Sequence, residues 1–277
     1  MNFHSIFPDL APWVRGLGNA WPASMIKSVP WAFPMIETAH LLGLATLGGC
    51  VLVLNLRFMG VGITNERAAL IERNLRPWLW AAIGVLIVTG LLMGTVVAQR
   101  LYARPAFLVK MLALVSALIL SLGVSGSLAR NEGALTQPAK LMAGVALAIW
   151  LLAVTMFATT HVIVPGTLHL VLAGWLIAMG FGSTLTRILL GAFTVVILIA
   201  TVVLTNALDN YDVVNERWLL PVSALVVVGF LMWEIAGPKA KPRLTPTLTR
   251  LVGLFTILAW VTVAASGRWI GLGGDSG

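Results

Sequence analysis

Hydrophobic residues in this chain come in long runs rather than in alternation with polar ones. WLWAAIGVLIVTGLLMGTVVA (78–98) and ILLGAFTVVILIATVVLTNAL (188–208) each carry no charge at all. Runs of that length match the ~18–20 residues a helix needs to cross about 30 Å of hydrocarbon at 1.5 Å per residue. In lipid a chain has to satisfy its own backbone hydrogen bonds, and without period-two patterning that means helices rather than a barrel. The pattern predicts spans at about 31–56, 76–98, 106–128, 139–160, 164–182, 187–207, 217–236 and 247–267. The expected fold class is all-α: a polytopic integral membrane protein with about eight transmembrane helices.

Composition agrees with that pattern. Of the 277 residues 59% are hydrophobic and only 10% charged, where a soluble domain carries roughly 25% charged residues. The net charge of +8 would point to nucleic acid in a soluble domain. Here it reads as loop Lys and Arg that orient the chain and meet anionic lipid headgroups, and no nucleic acid is expected. Residues 1–30 mix Trp13, Trp21, Leu10 and Met25 with Pro and Gly, and read as an amphipathic segment on the membrane surface rather than a secretion signal. The single cysteine, Cys50, rules out an intrachain disulfide.

Loops after the first, third, fifth and seventh spans, with their flanks, hold Arg57, Arg67, Arg73, Arg76, Arg130, Lys140, Arg187, Lys239, Lys241, Arg243 and Arg250. The opposite side holds Arg15, Lys27, Arg100, Arg104, Arg217 and Arg268. The positive-inside rule puts the first set in the cytoplasm and both termini outside, in the periplasm of a bacterial inner membrane. Tryptophans near the span ends (Trp31, Trp78, Trp80, Trp218, Trp233 and Trp269) fit aromatic belts.

A weak repeat pairs KLMAGVALAIW (140–150) with RLVGLFTILAW (250–260), LVSAL (114–118) with PVSAL (221–225), and TAHLLGLA (38–45) with TLHLVLAG (167–174). It aligns His40 with His169 and sets Lys110 opposite Arg217. If the repeat is a duplication, residues 31–160 and 161–277 form two four-helix bundles in tandem.

Ionisable groups inside hydrocarbon cost from about 2.5 kcal/mol upward, so each needs a reason. The candidates are Glu37, His40, Lys110, His161, His169 and, near a span end, Glu234. The predicted orientation gathers the three histidines and Lys110 in the outer leaflet, which points to one polar site there. A b-type haem between helices needs axial nitrogens, small residues that admit the macrocycle, and cations for its propionates. His40 and His169 supply nitrogens, Gly43, Gly48 and Gly49 small surfaces, and Arg100, Arg104, Arg217 and Arg268 the cations. The chain has no C-x-x-C-H motif, so the haem would be non-covalent. Glu37, three residues before His40, could accept from the His40 Nδ1–H or relay protons to a quinone. The blander alternatives are an interfacial packing histidine at 161, a snorkelling Lys110 and a carboxylate in a wet vestibule at 37. Asn55 and Arg57 read as a helix terminus. A Glu-x-x-His di-metal site fails for want of further carboxylates.

Three stretches resemble a family of bacterial membrane proteins of unknown function: HLLGLATLGGCVLVLNLRFMG (40–60), PWLWAAIGVLIVTGLLMGTVVAQRLYARPAFLVKMLAL (77–114) and LAWVTVAASGRWIG (258–271). The shared features are His40, the Leu56-Arg57-Phe58-Met59-Gly60 exit, a Thr89-Gly90 turn, Phe107 with Lys110, and Gly267-Arg268-Trp269. Asn55 stands where that family usually has an acid. More distantly, the His40 and Lys110 pair looks like the HemJ-type protoporphyrinogen oxidases and the copper-resistance D-like membrane proteins. That resemblance implies a haem site at His40 with Lys110 or His169 opposite.

The expected function is therefore a membrane electron-transfer subunit with haem b near the outer face, exchanging electrons with a periplasmic redox partner, quinone or other membrane subunits. The alternatives are a transporter or metal-handling permease, and a cofactor-free scaffold subunit.

Overall fold

The computed structural model describes residues 2–159, 164–209, 214, 218–236 and 247–272. Lys239, Lys241 and Arg243 of the predicted cytoplasmic set lie outside them. Three short helices come first: α1 (Phe3–Ile6), α2 (Ala11–Leu17) and α3 (Ala23–Ser28). Two long ones follow, α4 (Ala32–Phe58) and α5 (Ala68–Val96), then the short α6 (Ala98–Ala103). Helix α7 (Pro105–Leu118) runs through a π-helical stretch, Ile119–Ser125, into α8 (Gly126–Arg130). The remainder are α9 (Gln137–Thr159), α10 (Val164–Phe181), α11 (Thr184–Leu208), α12 (Leu220–Ala236) and α13 (Thr247–Leu272).

Among the described residues six helical stretches are long and apolar enough to cross a membrane: Ala32–Phe58, Ala68–Val96, Pro105–Arg130, Gln137–Met156, Thr184–Leu208 and Thr247–Arg268. Leu170–Gly180 and Leu220–Ile235 add shorter apolar stretches. The protein is an all-α polytopic membrane protein. Packing supports this beyond hydropathy. α11 exposes Leu185, Ile188, Leu189, Val195, Val196, Leu198, Ile199, Val202 and Val203. A continuous apolar face of that size would aggregate in water; in lipid tails it is the matching surface. Trp31, Trp78, Trp80, Trp218 and Trp233 are also exposed.

The helix boundaries fall within a few residues of the predicted spans, with one exception. α5 begins at Ala68, eight residues before the predicted span. Ala68, Ile71 and Glu72 are buried, so this first part of α5 is held by packing and an ion pair that a hydropathy window does not register.

Small residues let the helices approach. Ala113, Ala117, Ala146, Ala153 and Ala259 are fully buried in the larger core, which α4, α5, α7, α9 and α13 build together. A second core joins α10, α11 and α12. α13 serves both, with Ala259, Trp260 and Val263 in the first and Leu254 and Ile257 in the second. Polar side chains cross-link the helices inside the first core. Trp150 Nε1 donates to Thr262 Oγ1 at 3.0 Å, Trp260 Nε1 to Ser121 Oγ at 2.8 Å, and Ser116 Oγ to the Ala146 carbonyl at 2.7 Å.

Glu234, named in the sequence as a span-end carboxylate, stabilises a helix start. Its Oε1 accepts from the Ser183 N–H at 3.0 Å and from the Thr186 hydroxyl, at the positive N-terminus of α11. Ser183 Oγ also accepts from the Thr186 N–H. Glu234→Ala removes the carboxylate from this cap and is expected to cost about 1–2 kcal/mol, read as a lower unfolding midpoint in detergent.

Candidate functional site

The starts of α4 and α7 and the ends of α5 and α13 lie at one end of the bundle, called here the His40 end. His40 lies eight residues into α4, roughly 12 Å along the axis from Ala32. Its Nδ1 is 2.8 Å from Thr89 Oγ1 on α5. The Thr89 hydroxyl already donates to the Val85 carbonyl at 2.6 Å. A hydroxyl has one proton, so Thr89 accepts from His40 Nδ1–H, and Nε2 keeps its lone pair. A β-carbon placed on Gly90 would lie 3.5 Å from His40 Cε1, so the glycine next to Thr89 leaves the flank of the imidazole open. Thr89 and Gly90, read from the sequence as a Thr-Gly turn within the second span, are interior positions of α5.

Lys110, on α7, is half-buried and reaches toward α13. A β-carbon on Gly267 would lie 3.4 Å from its Nζ. Among the described residues no hydrogen-bond acceptor meets that ammonium. The charges of Lys110 and Glu37 both act on the His40 ring, which places His40, Lys110 and Glu37 in one electrostatic neighbourhood. Glu37 itself is exposed. The residue that accepts from Nδ1 is Thr89 instead of Glu37, because Thr89 faces α4 from the neighbouring helix. Arg100 and Arg268 are exposed and Arg104 half-buried. His169 lies on α10, but its side chain lies outside the described residues, as do His161 and Arg217. Among the described residues no group of three or more His, Cys, Asp and Glu could hold a metal ion by itself.

The N-terminal segment covers this end. Asn2 Nδ2 donates to the Ala103 carbonyl at 2.7 Å, Tyr102 donates to the Phe7 carbonyl, and the rings of Phe3 and Phe107 lie 5.5 Å apart. Phe107 precedes Lys110 by one turn, so the segment sits directly over the Lys110 start of α7.

A second polar cluster, absent from the sequence reading, lies at the other end. Glu72 is buried and ion-paired to two arginines. Arg76 grips it with Nε at 3.0 Å and Nη2 at 2.6 Å, and Arg130 Nη1 reaches it from α8 at 3.0 Å. Below them Asn55, at 1% exposure, accepts from Ser125 Oγ at 3.0 Å and donates to the Val51 carbonyl at 2.8 Å. Ser125 Oγ also lies 3.3 Å from Thr256 Oγ1. Asn55 is thus a buried inter-helix joint rather than a simple helix terminus. The cluster borders a cavity of about 280 Å³ between α4, α5 and the π-helical stretch. The Glu72-x-x-x-Arg76 spacing was the one sequence signal for it, since that spacing places both side chains on one helix face. Arg130 and Ser125 reach it only through folding.

Comparison with known proteins adds one match. Residues 32–165 are similar to the model of a family of unknown function, DUF6644. The matched stretch runs from α4 into the start of α10 and contains His40, Thr89, Lys110, Glu72, Arg76 and Arg130. No curated protein and no solved structure matches the chain. These comparisons show no relationship to HemJ-type or copper-resistance D-like proteins.

Proposed function

We propose that the chain is a membrane electron-transfer subunit that holds a non-covalent b-type haem at the His40 end. The observation that carries this reading is the Val85–Thr89–His40 hydrogen-bond chain. It holds the imidazole in one tautomer and leaves Nε2 as a lone-pair donor, the arrangement that metal-binding histidines have. The other residues present fit the group as well. Lys110 is a second nitrogen with no hydrogen-bond acceptor among the described residues; Gly267 keeps space beside its Nζ, and Gly90 keeps it beside the Cε1 flank of the His40 ring.

When bound, haem supplies a one-electron iron couple. His40 would hold the iron through Nε2, with Lys110 or His169 as the second residue holding it. Thr89 orients the ring. Arg100, Arg104 and Arg268 supply cations at the rim for carboxylates, and Glu37 offers an exposed carboxylate for proton exchange. The Lys/Arg distribution puts this end on the periplasmic side of a bacterial inner membrane, so the electron partners would be a periplasmic protein, quinone or a neighbouring subunit. In this reading α10 and α12 cross as short spans, and both termini would lie on that side.

The test is spectroscopic. Protein purified in mild detergent should show a Soret band and a reduced-minus-oxidised α-band, with about one haem per chain by pyridine haemochrome. A purified, folded protein with no such bands would overturn the reading.

A further inference from the structure

The cavity at the Glu72 end has walls that change from ionic to apolar along its length. Glu72, Arg76 and Arg130 form its rim, and Trp80 lies one turn beyond Arg76 along α5, roughly 6 Å deeper at 1.5 Å per residue. Leu75, Leu79 and Leu54 line the space between. The rim triad has two guanidiniums and one carboxylate, so it keeps one net positive charge. Three of its N–H groups are used on Glu72. Among the described residues no protein acceptor meets the others, and the two arginine side chains are 45% and 49% exposed. Trp80 and Arg76, one turn apart on α5, are both exposed, so the mouth opens sideways where an amphiphile lying in the bilayer would enter. The π-helical stretch helps to shape the cavity by turning Ser121, Leu122 and Ser125 toward it.

We propose that this cavity binds an anionic phospholipid, its phosphate on the free N–H groups of Arg76 and Arg130 and its chain along Leu75, Leu79 and Trp80. Three features select this ligand class. The net charge favours an anion, the planar guanidinium donors match phosphate oxygens, and the apolar depth is of no use to a free ion. A second use of the pair follows from Glu72: it fixes both arginines before the lipid arrives, so little side-chain freedom remains to be lost on binding. The inference stands apart from the haem reading, since Asn55 at this cavity lies fifteen residues from His40 along α4, roughly 22 Å.

The experiment uses the full chain, delipidated in neutral detergent and titrated separately with phosphatidylglycerol, phosphatidylcholine and inorganic phosphate. Unfolding midpoint and lipid retained in native mass spectrometry are read together. Phosphatidylglycerol should raise the midpoint and remain bound at about one molecule per chain, with phosphatidylcholine and inorganic phosphate ineffective. R130Q, which leaves the Arg76–Glu72 pair in place, should weaken phosphatidylglycerol retention about tenfold, as the loss of one charge-assisted contact implies. L122W, which fills the cavity without changing charge, should do the same, and R73Q, an exposed charge away from the cavity, should not. Equal effects of the two lipids would overturn the proposal. A full response to inorganic phosphate alone would replace the lipid by a free anion and overturn it too. Equal losses in R73Q and R130Q would reduce the effect to general surface charge, with the same consequence.

Discussion

Replacing His40 by alanine is expected to abolish the haem bands while leaving the protein folded. The side chain is half-buried and, among the described residues, makes one hydrogen bond, to Thr89. Its removal therefore leaves Thr89 with its Val85 bond intact and no unsatisfied buried donor. The stability cost should stay near 1 kcal/mol. The informative companion is Thr89→Val, which keeps the shape of the side chain and deletes the acceptor for Nδ1–H. If His40 binds iron through Nε2, Thr89→Val should retain the bands but weaken haem affinity roughly tenfold to a hundredfold, the usual effect of removing a ligand's hydrogen-bond partner. It should also shift the reduction potential, because the basicity of the ligand changes with that bond. A purely structural role for the His40–Thr89 contact would show as a lower unfolding midpoint with an unchanged spectrum. Unchanged bands in His40→Ala would remove His40 from the site.

A loss of stability is also expected from Gly253→Ala. A β-carbon there would lie 2.7 Å from the Asn55 carbonyl oxygen, with Met59 Cγ at 3.2 Å and Phe58 Cβ at 3.3 Å. The first of these is backbone, and the Asn55 carbonyl also accepts the Met59 N–H at 3.0 Å. Neither helix can relieve the overlap by turning a side chain, so α13 has to move away from α4. Overpacking of this kind costs about 1–3 kcal/mol, which outweighs the roughly 1 kcal/mol that alanine gains over glycine in a helix interior. The control is Gly229→Ala on α12, where a β-carbon meets nothing within 4 Å among the described residues. That substitution should be neutral or raise the midpoint. The pair of midpoints, measured by thermal unfolding in detergent, separates backbone approach from helix propensity, and equal shifts would sink the explanation.

Much of the fold was legible in the chain because lipid imposes a simple rule. A span must be apolar and helical over about twenty residues, so the positions of the charges delimit it. α4, α9, α11 and the start of α13 therefore fall where the runs of residues put them. The start of α5 did not. The first turns of that helix are polar and project past the apolar run, held by the burial of Ile71 and by the Glu72–Arg130 pair. The π-helical stretch escaped for a related reason: ILSLGVS has the same apolar content as a regular helix, and only the backbone hydrogen-bond register tells the two apart.

The candidate sites divide along the same line. His40 stood out in the sequence as a titratable ring inside hydrocarbon, and Lys110 as an ammonium near the start of an apolar helix. Their local neighbours suggested Glu37 as the partner of His40, since residues three apart share a helix face. The partner is instead Thr89, forty-nine positions away, whose hydroxyl becomes an acceptor only because the Val85 carbonyl already takes its proton. Arg76 and Arg130 look in the sequence like loop charges that set orientation, and Glu72 draws no reading there. Folding buries Glu72 and converges both guanidiniums on it beside a cavity.

The sequence by itself determined that the chain is helical, that it crosses a membrane repeatedly, and which residues are anomalous in an apolar setting. These follow from solvation, which acts on each residue wherever its neighbours are. Only the tertiary structure decided which tautomer His40 holds, which arginines share Glu72, and where a cavity remains. Those depend on directions between side chains of different helices, and directions are set by packing.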